Sequence, residues 1–475
     1  MPMKILFVMP SLDNGYWKKL GKKVGPKSEP LSLLYIATFL NQSGHHAEVV
    51  DCEAEGISLD ELEQKIQFGR YDAVGVAMLT AMYSQSVAVC KMVKKLDPKI
   101  KVVVGGSHAN LRPRETAEKE ESIDVVTVGE AEQTFLELLE VSQGKKELKD
   151  VLGIAYRENA VVVQTAERAK VNDLDFFPIP DRSLIKMHLY RPSVSYYRRL
   201  PAYTMITTRG CPYRCTFCAT AKTGYRVHSI PRVIEEMRVL IEDFGAKEIL
   251  IRDDTFTLQR ERTIKLCEAI IAAGFHKKIT WDCITRANLV DKELLQKMKE
   301  AGCWGMHFGV EGGTQKLIDS VKKDTTLEII KNAFTLCREI GIETRGYFMV
   351  GMPGSTPEDD FATIEYAKDI DPDWAQFTIA TPYPGTELFN EAEQWGTFHT
   401  DISDWDKYLT WSGYGDTELV WTAHGRSSED VKAMQRKAMR EFYFRPKVIL
   451  RKVTNVDNLP ILRKYMTGAL VLARS

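Results

Sequence analysis

The stretch "AYTMITTRGCPYRCTFCAT" (residues 202–220) joins a predicted buried strand to a loop that carries three closely spaced cysteines. Cys211, Cys215 and Cys218 follow the pattern C-x3-C-x2-C, and a glycine and a proline flank the first of them. Both flanking residues favour tight turns. The three thiols are therefore predicted on a compact loop at the carboxyl end of a strand.

This strand is the first of six that alternate with helices. The predicted strands are "AYTMITT", "EILIRDD", "ITWDCITR", "WGMHFGVE", "TRGYFMVG" and "WAQFTIAT". Apolar residues at helical spacing lie between them, as in "PRVIEEMRVLIEDFG" and "TLEIIKNAFTLCREIG". Such an order predicts a partial (β/α)6 barrel, whose site forms at the carboxyl ends of the strands, where the cysteine loop lies.

The first 140 residues form a separate strand–helix series. "KILFVMP", "HAEVVD", "DAVGVAML" and "KVVVGG" are apolar runs typical of buried parallel strands. "PLSLLYIATFLNQSG" and "EQTFLELLEV" have helical spacing. The pattern predicts an α/β fold with a doubly wound, Rossmann-like sheet that binds its ligand at the carboxyl ends of its strands.

Changes of composition suggest four segments. We expect a ligand-binding domain at 1–150, a linker with a small hairpin at 151–195, the barrel at 196–390 and a mostly helical C-terminal domain at 391–475. From Lys432 to Ser475 the chain has eleven Lys or Arg and two acidic residues. This basic stretch predicts a solvated helical face packed on the barrel, or contact with an acidic polypeptide or a membrane surface.

Composition excludes several classes of protein. A net charge of −1 provides no global field that would recruit nucleic acid. The N-terminal stretch "MPMKILFVMP" is short and predicts a strand rather than a signal peptide, and no apolar run reaches the roughly 18 residues that a membrane span needs. Nine cysteines in such a chain predict reduced thiols in a cytoplasm, and the six outside the loop are predicted to be small buried hydrophobes.

The three loop cysteines favour an iron–sulfur cluster. Structural zinc normally takes four ligands, and the chain contains no second cysteine pair. A disulfide does not suit the predicted compartment or the odd count, and a catalytic thiol needs one cysteine with a base. Cluster irons are bound by cysteine thiolates, so three thiolates on a four-iron cluster leave one iron open to a further ligand.

The motif, with Phe217 before its last cysteine, resembles that of the radical S-adenosylmethionine (SAM) superfamily. The resemblance implies a [4Fe-4S] cluster whose open iron binds SAM, from which a 5′-deoxyadenosyl radical is released. It also implies SAM-binding residues near the strand ends. The candidates are Phe217, Asp253, Asp254, Arg286, Glu311, Gly351, Pro353 and Thr381.

The N-terminal series resembles the cobalamin-binding domains that are fused to radical SAM barrels. A methylthiotransferase would need three further N-terminal cysteines, and only Cys52 and Cys90 are present; a non-catalytic partner-docking module is the other alternative. The D-x-H-x-x-G motif is absent, so no histidine ligand to cobalt is expected, and "AMLTAMYSQ" (77–85) is the candidate for the lower face. The candidate cobalamin-binding residues are Leu79, Thr80, Met82, Gly105, Gly106, Ser107, His108, Gly129 and Glu130.

These resemblances together predict a cobalamin-dependent radical SAM methyltransferase that acts on an unactivated sp3 carbon, with no catalytic residues beyond the cofactors. The chain is similar overall to archaeal glutamine C-methyltransferases that modify methyl-coenzyme M reductase, which implies a glutamine Cα in a protein or peptide substrate. The alternatives are a radical cyclase or ring-forming enzyme and, in a different class, a non-catalytic sensor. A ferredoxin- or flavodoxin-type one-electron reductant is the expected partner, and a monomer without nucleic-acid or membrane contact is the expected state.

Overall fold

The structure, a computed structural model, describes residues 1–12, 27–409 and 418–454. The chain divides into two compact units, Met1–Arg191 and Pro192–Ser475. The first unit extends beyond the expected boundary at residue 150, so most of the expected linker belongs to it. Residues 455–475, at the end of the predicted helical C-terminal domain, lie outside the described residues.

The first unit contains a seven-stranded sheet with helices between its strands. The strands are β1 (Lys4–Met9), β2 (His46–Asp51), β3 (Ala73–Ala77), β4 (Lys101–Gly105), β5 (Val125–Thr127), β6 (Ile154–Glu158) and β7 (Val161–Gln164). The helices are α1 (Leu31–Gln42), α2 (Cys52–Glu55), α3 (Leu59–Gly69), α4 (Tyr83–Leu96), α5 (Ser107–Leu111), α6 (Pro113–Lys119) and α7 (Ala131–Ser142).

The sheet of the first unit has the order β2-β1-β3-β4-β5-β6-β7. Strands β1 to β5 are parallel, and all five residues of β3 are buried because helices cover a parallel sheet on both faces. The predicted hairpin exists as β6 and β7 but is not part of a linker. Strand β6 pairs antiparallel with β5, so the hairpin extends the sheet.

The second unit contains the six predicted barrel strands and the five predicted helices between them. The strands are β8 (Ala202–Met205), β9 (Thr208–Arg209), β10 (Arg226–Val227), β11 (Glu248–Ile251), β12 (Thr280–Thr285), β13 (Cys303–Glu311), β14 (Glu343–Val350), β15 (Trp374–Ile379), β16 (Gly396–Phe398) and β17 (Trp421–Ala423). The helices are α8 (Ile230–Glu242), α9 (Arg260–Ala272), α10 (Lys292–Glu300), α11 (Gln315–Ser320), α12 (Leu327–Ile340), α13 (Pro357–Ile370), α14 (Glu387–Asn390), α15 (Ala392–Trp395), α16 (Ser428–Tyr443) and α17 (Pro446–Thr454).

Parallel strands in the order β15-β14-β13-β12-β11-β8 form the partial barrel. Strand order follows chain order apart from the small β9–β10 hairpin, so every carboxyl end lies at the same face. Helix α13 begins with a capping box in which Thr356 and Asp359 satisfy each other's backbone N–H groups, which fixes its start just after β14. The turn between β14 and α13 at the face that carries the cysteine loop is therefore short and well defined.

The C-terminal segment of the second unit packs on the last barrel strand. Tyr443 of α16 donates its hydroxyl to the Ala375 carbonyl at 2.7 Å and accepts from the Ala375 N–H at 3.1 Å. The described basic residues of this segment are partly neutralised within the unit, because Arg445, Lys447 and Arg451 all pair with Asp371. The described part of the basic stretch thus packs on the barrel.

No helix in the described ranges is long and apolar enough to span a bilayer.

Candidate functional site

A short hairpin closes the base of the cysteine loop. Strands β9 and β10 pair antiparallel, which joins the two ends of the loop between Arg209 and Arg226. Gly210 has a φ of +87°, and a Cβ there would lie 2.6 Å from the Gly224 carbonyl oxygen. Only glycine fits this approach without displacing the facing backbone. The loop that contains the three cysteines is thereby held at both ends.

Asp253 binds the backbone just before this hairpin. Its carboxylate accepts hydrogen bonds from the Thr207 N–H at 2.6 Å, the Thr207 hydroxyl at 2.5 Å and the Thr208 N–H at 3.1 Å. Arg262 adds hydrogen bonds from its guanidinium to the carbonyls of Thr207 and His228. Asp253 is 1% exposed. The structure therefore uses this carboxylate to position the loop.

Phe217 connects the loop to the ends of later strands. It is half-buried and packs against an apolar cluster of Leu317, Val321, Met349, Met352 and Ala380. The adjacent Thr216 N–H donates to the Val321 carbonyl, and the Thr216 carbonyl accepts from the Leu388 N–H at 2.8 Å. The cysteine loop is thus fixed against the segments that follow β13, β14 and β15.

The three cysteines are partly shielded from solvent. Cys211 is 8% and Cys215 is 7% exposed, whereas Cys218 is half-buried. Burial raises the pKa of Cys211, and the negative charge of the nearby Asp254 adds to the effect. Asp254 itself is exposed and hydrogen-bonds Thr220, whose hydroxyl lies 3.3 Å from the Cys218 sulfur. Asp254 therefore contacts the cysteine loop beside Cys218, whereas Asp253 contacts the backbone that precedes the loop.

Arg286 contacts the loop directly. This 4%-exposed guanidinium lies 3.4 Å from the Cys215 sulfur through Nη1 and stacks 3.8 Å from the centre of the Tyr213 ring. Nη2 donates to the Lys323 carbonyl, and Nε donates to Asn288 at 3.3 Å. The residue that the sequence suggested for the SAM carboxylate is thus oriented towards a cysteine sulfur.

Glu311 ends strand β13 in an unusual conformation. Its φ is +69°, and the register between β13 and β14 is interrupted there. Its carboxylate pairs with the Lys323 ammonium at 2.7 Å, and both side chains are 8% exposed. A left-handed non-glycine residue costs of order 1–3 kcal/mol and is enriched at functional sites. Lys323 lies 12 residues downstream, and no motif in the sequence indicates it.

The remaining predicted SAM residues lie at the ends of β14 and β15. Gly351 has a φ of +67° and donates its N–H to Asp360 at 3.0 Å. Pro353 is buried, and Thr381 is 8% exposed. Thr381 directly follows Ala380, whose N–H donates to the Val350 carbonyl. These residues stand at the same face of the barrel as the cysteine loop, as predicted.

The barrel interior contains a polar network that the sequence analysis missed. Arg252 forms a two-point ion pair with Asp282 at 2.7 and 3.2 Å, and His307 lies 3.0 Å from the same carboxylate. The other ring nitrogen of His307 meets the Tyr347 hydroxyl at 3.0 Å. Burial lowers the pKa of His307 to about 4, so it is neutral near pH 7. The alternation of side chains along the strands predicts which of them face the barrel interior. It cannot predict that Tyr196, which lies outside the strands, contacts the Tyr347 hydroxyl.

In the first unit, Gly105 ends the central strand β4, and Gly106 follows it. The Gly105 carbonyl accepts from the Met78 N–H at 2.7 Å. Gly106 has a φ of +116°, and a Cβ there would stand 2.8 Å from the Met78 carbonyl oxygen. Both glycines are half-buried at the carboxyl edge of the sheet, where the backbone is reachable by a flat ligand.

The candidate lower-face loop follows strand β3. Leu79 is 39% exposed, whereas Thr80 and Met82 are 4% and 6% exposed. His108 is 1% exposed; its ring lies 3.3 Å from the Thr80 hydroxyl and packs edge-on against Tyr83. Burial lowers the pKa of His108 to about 4. Of these residues Leu79 offers the most surface to a ligand.

Ser107, Gly129 and Glu130 lie at the same edge of the sheet. Ser107 and Gly129 are exposed, and Glu130 is half-buried in front of helix α7. The Gly129 N–H donates to the Asn110 side chain at 2.7 Å, which joins the segment after β5 to helix α5. The predicted cobalamin-binding residues thus lie at one edge of the sheet. Three of them are buried there: Thr80, Met82 and His108.

The residues fit the implied cofactors. Among the described residues, no three Cys, His, Asp or Glu side chains converge on a single metal ion. A four-iron cluster has a different requirement, because each cysteine binds its own iron. Three free thiols spread around one braced loop meet that requirement. In the first unit, exposed apolar and backbone surface at the carboxyl edge suits a large flat ring.

Comparisons with known proteins agree with this architecture. The profile of the radical SAM superfamily matches residues 205–367, and that of the B12 binding domain matches residues 17–139. The solved structure of the radical S-adenosylmethionine methyltransferase TsrM from Kitasatospora setae, with cobalamin and a [4Fe-4S] cluster bound, superposes with a TM-score of 0.73 at 21% identity over 91% of each chain. The class is therefore a B12-binding domain joined to a radical SAM barrel.

The chain is 33% identical over 471 residues to an uncharacterized methyltransferase of Pyrococcus horikoshii, which covers 98% of both chains. It is also 29% identical over 416 residues to the anaerobic magnesium-protoporphyrin IX monomethyl ester cyclase of Cereibacter sphaeroides, covering 86% of this chain and 66% of the relative. The chain belongs to the family of cobalamin-dependent radical SAM methyltransferases. Its cofactors are accordingly a [4Fe-4S] cluster, SAM and cobalamin.

Proposed function

We propose that this enzyme methylates an unactivated sp3 carbon, and that its substrate is a glutamine Cα in a protein or peptide. The observation that carries the reaction is the braced three-cysteine loop at the carboxyl face of a barrel, in a chain that also has a B12-binding domain. The full-length similarity to a methyltransferase supports methyl transfer over other radical reactions. The proposed glutamine substrate rests on the overall resemblance of the chain to archaeal glutamine C-methyltransferases.

Cys211, Cys215 and Cys218 would hold the cluster. When bound, the cluster and SAM supply a carbon-centred radical, and cobalamin supplies the methyl group. The SAM site would lie between the cysteine loop and the ends of β13 to β15. Its candidate residues are Phe217, Asp254, Glu311, Gly351, Pro353 and Thr381, with Asp253 positioning the loop. An external ferredoxin- or flavodoxin-type protein would deliver the electron.

The cobalamin site would lie at the carboxyl edge of the first sheet. Gly105, Gly106, Ser107, Gly129 and Glu130 would provide backbone and polar contacts. Leu79 would contact the lower face of cobalamin, because it is the most exposed apolar residue of its loop while His108 is buried against Tyr83. The electron paramagnetic resonance (EPR) spectrum of the cob(II) state tests this. Nitrogen superhyperfine splitting from a protein histidine would contradict it.

Labelled SAM tests the reaction. Anaerobic turnover with SAM that carries a deuterated methyl group and with a glutamine-containing peptide should transfer the label to the peptide and release S-adenosylhomocysteine, both measured by mass spectrometry. A product without label would exclude methyl transfer. An unmodified peptide, alongside reductive SAM cleavage, would reject the glutamine substrate and leave the radical reaction in place.

Two cysteine variants provide the matched control. Cys215→Ala should lose iron and SAM cleavage and retain cobalamin. Cys337→Ala removes a fully buried cysteine of helix α12 and should retain iron. Equal iron content in the two variants would contradict the assignment of the cluster to the loop.

A second candidate is a radical cyclase. It is favoured by the similarity to a magnesium-protoporphyrin ester cyclase over 86% of this chain. The labelled-SAM assay separates the two, since ring formation consumes SAM without placing its methyl group in the product.

A further inference from the structure

The orientation of Arg286 is fixed by groups other than cysteine. Nε donates to Asn288 at 3.3 Å, Nη2 donates to the Lys323 carbonyl, and the guanidinium plane lies 3.8 Å from the Tyr213 ring centre. These three contacts fix the orientation of the guanidinium. In this orientation Nη1 points at the Cys215 sulfur, which lies 3.4 Å away. A planar, always charged guanidinium held in this way is preorganised to donate to sulfur.

The surroundings make this charge effective. Arg286 is 4% and Cys215 is 7% exposed, so little water screens the contact. Arg214, which directly precedes Cys215, is also cationic, but its side chain is 61% exposed and pairs with Asp324. Both arginines therefore place a positive charge near Cys215. The charge of Arg286 is buried, whereas that of Arg214 is solvated.

We propose that Arg286 raises the reduction potential of the cluster and thereby eases its reduction; this inference rests on the proposed binding of the cluster by the loop. Reduction adds one electron from a ferredoxin- or flavodoxin-type donor and exchanges no proton or bond. The added negative charge is stabilised by a buried cation that donates to a cluster-ligating sulfur. Hydrogen bonds to the sulfurs are among the factors that set cluster potentials.

An EPR-monitored redox titration of the reconstituted full-length enzyme tests the proposal. Arg286→Gln should shift the midpoint potential to a more negative value than that of the wild type. Arg286→Lys keeps the charge without the planar fork and should show a smaller shift. Arg214→Gln is the matched control and should leave the potential unchanged. Iron content and SAM affinity are measured for each variant.

Three outcomes would overturn the proposal. An unchanged potential in an iron-replete Arg286→Gln enzyme with weakened SAM binding would assign Arg286 to the SAM carboxylate instead. Loss of iron from both Arg286 variants would show a structural role only. Equal shifts in Arg214→Gln and Arg286→Gln would show a general charge effect. Failure of the wild-type chain to assemble a cluster would refute the proposed function itself, and iron content distinguishes that case.

Discussion

The hydrogen bond between Thr207 and Asp253 should stabilise the barrel and the cysteine loop together. Thr207→Val keeps the shape of the side chain and removes the hydroxyl that donates to Asp253 at 2.5 Å. Thr207 is fully buried, so water cannot replace the lost donor. Hydrogen bonds to charged groups contribute about 1.5–3 kcal/mol, so the variant should lose about 2 kcal/mol of unfolding free energy.

Thr257→Val is the matched control. Thr257 is also buried, and its hydroxyl meets the Thr285 hydroxyl at 2.6 Å, but both groups are neutral. A neutral hydrogen bond contributes about 1 kcal/mol, roughly half the loss expected at Thr207. The comparison isolates the contribution of the charge on Asp253.

Urea unfolding of the cluster-free protein, followed by tryptophan fluorescence, measures both variants. Seven of the eight tryptophans follow residue 192, so the signal reports mainly on the second unit. Reconstitution should then give less iron in Thr207→Val than in Thr257→Val. Burial raises the pKa of Asp253, although its hydrogen bonds from Thr207 and Thr208 favour the ionised form. Equal losses of stability in the two variants would refute the reasoning, because they would mean that Asp253 is protonated and carries no charge to Thr207.

Further predictions concern both units. Gly106→Ala should cost about 1–3 kcal/mol and weaken cobalamin retention, measured by absorbance, because φ is +116° and the new Cβ would lie 2.8 Å from the Met78 carbonyl oxygen. The folded-state pKa of His307, about 4, lies below its ordinary value. Between pH 6.5 and 4 only the unfolded state is protonated there, so stability of the second unit should fall by about 3 kcal/mol as the pH falls, and His307→Gln should remove that dependence in urea titrations. Lys323→Met should cost about 3–5 kcal/mol by leaving a buried carboxylate unpaired, and adding Glu311→Gln should restore part of this loss in a double-mutant cycle.

The strands and their order could be predicted because each barrel strand is a buried apolar run bounded by turn residues. That pattern placed the cysteine loop at the correct face before any contact was known. The same reasoning could not separate Asp253 from Asp254. Neighbouring side chains point in opposite directions, and only the packing of Thr207 shows which carboxylate is used inside the fold.

Contacts between distant segments were beyond the sequence analysis. Lys323 follows a short helix without any motif, and it meets Glu311 only because β13 ends in a left-handed residue. The direction of Arg286 likewise depends on a carbonyl 37 residues away. The sequence predicts the hairpin β6–β7, but the pairing of this hairpin with β5 depends on a non-local register that periodicity does not encode.

The open barrel ends in an unpaired edge, and an exposed strand edge invites association with another chain. On the outer side of β15, the phenol of Tyr443 occupies both hydrogen-bonding groups of Ala375, and the Gln435 amide donates to the Phe377 carbonyl at 2.9 Å. Two side chains of one helix thus replace a seventh strand. A chain shortened before α16 should therefore expose these backbone groups of β15 as a template for intermolecular β-pairing.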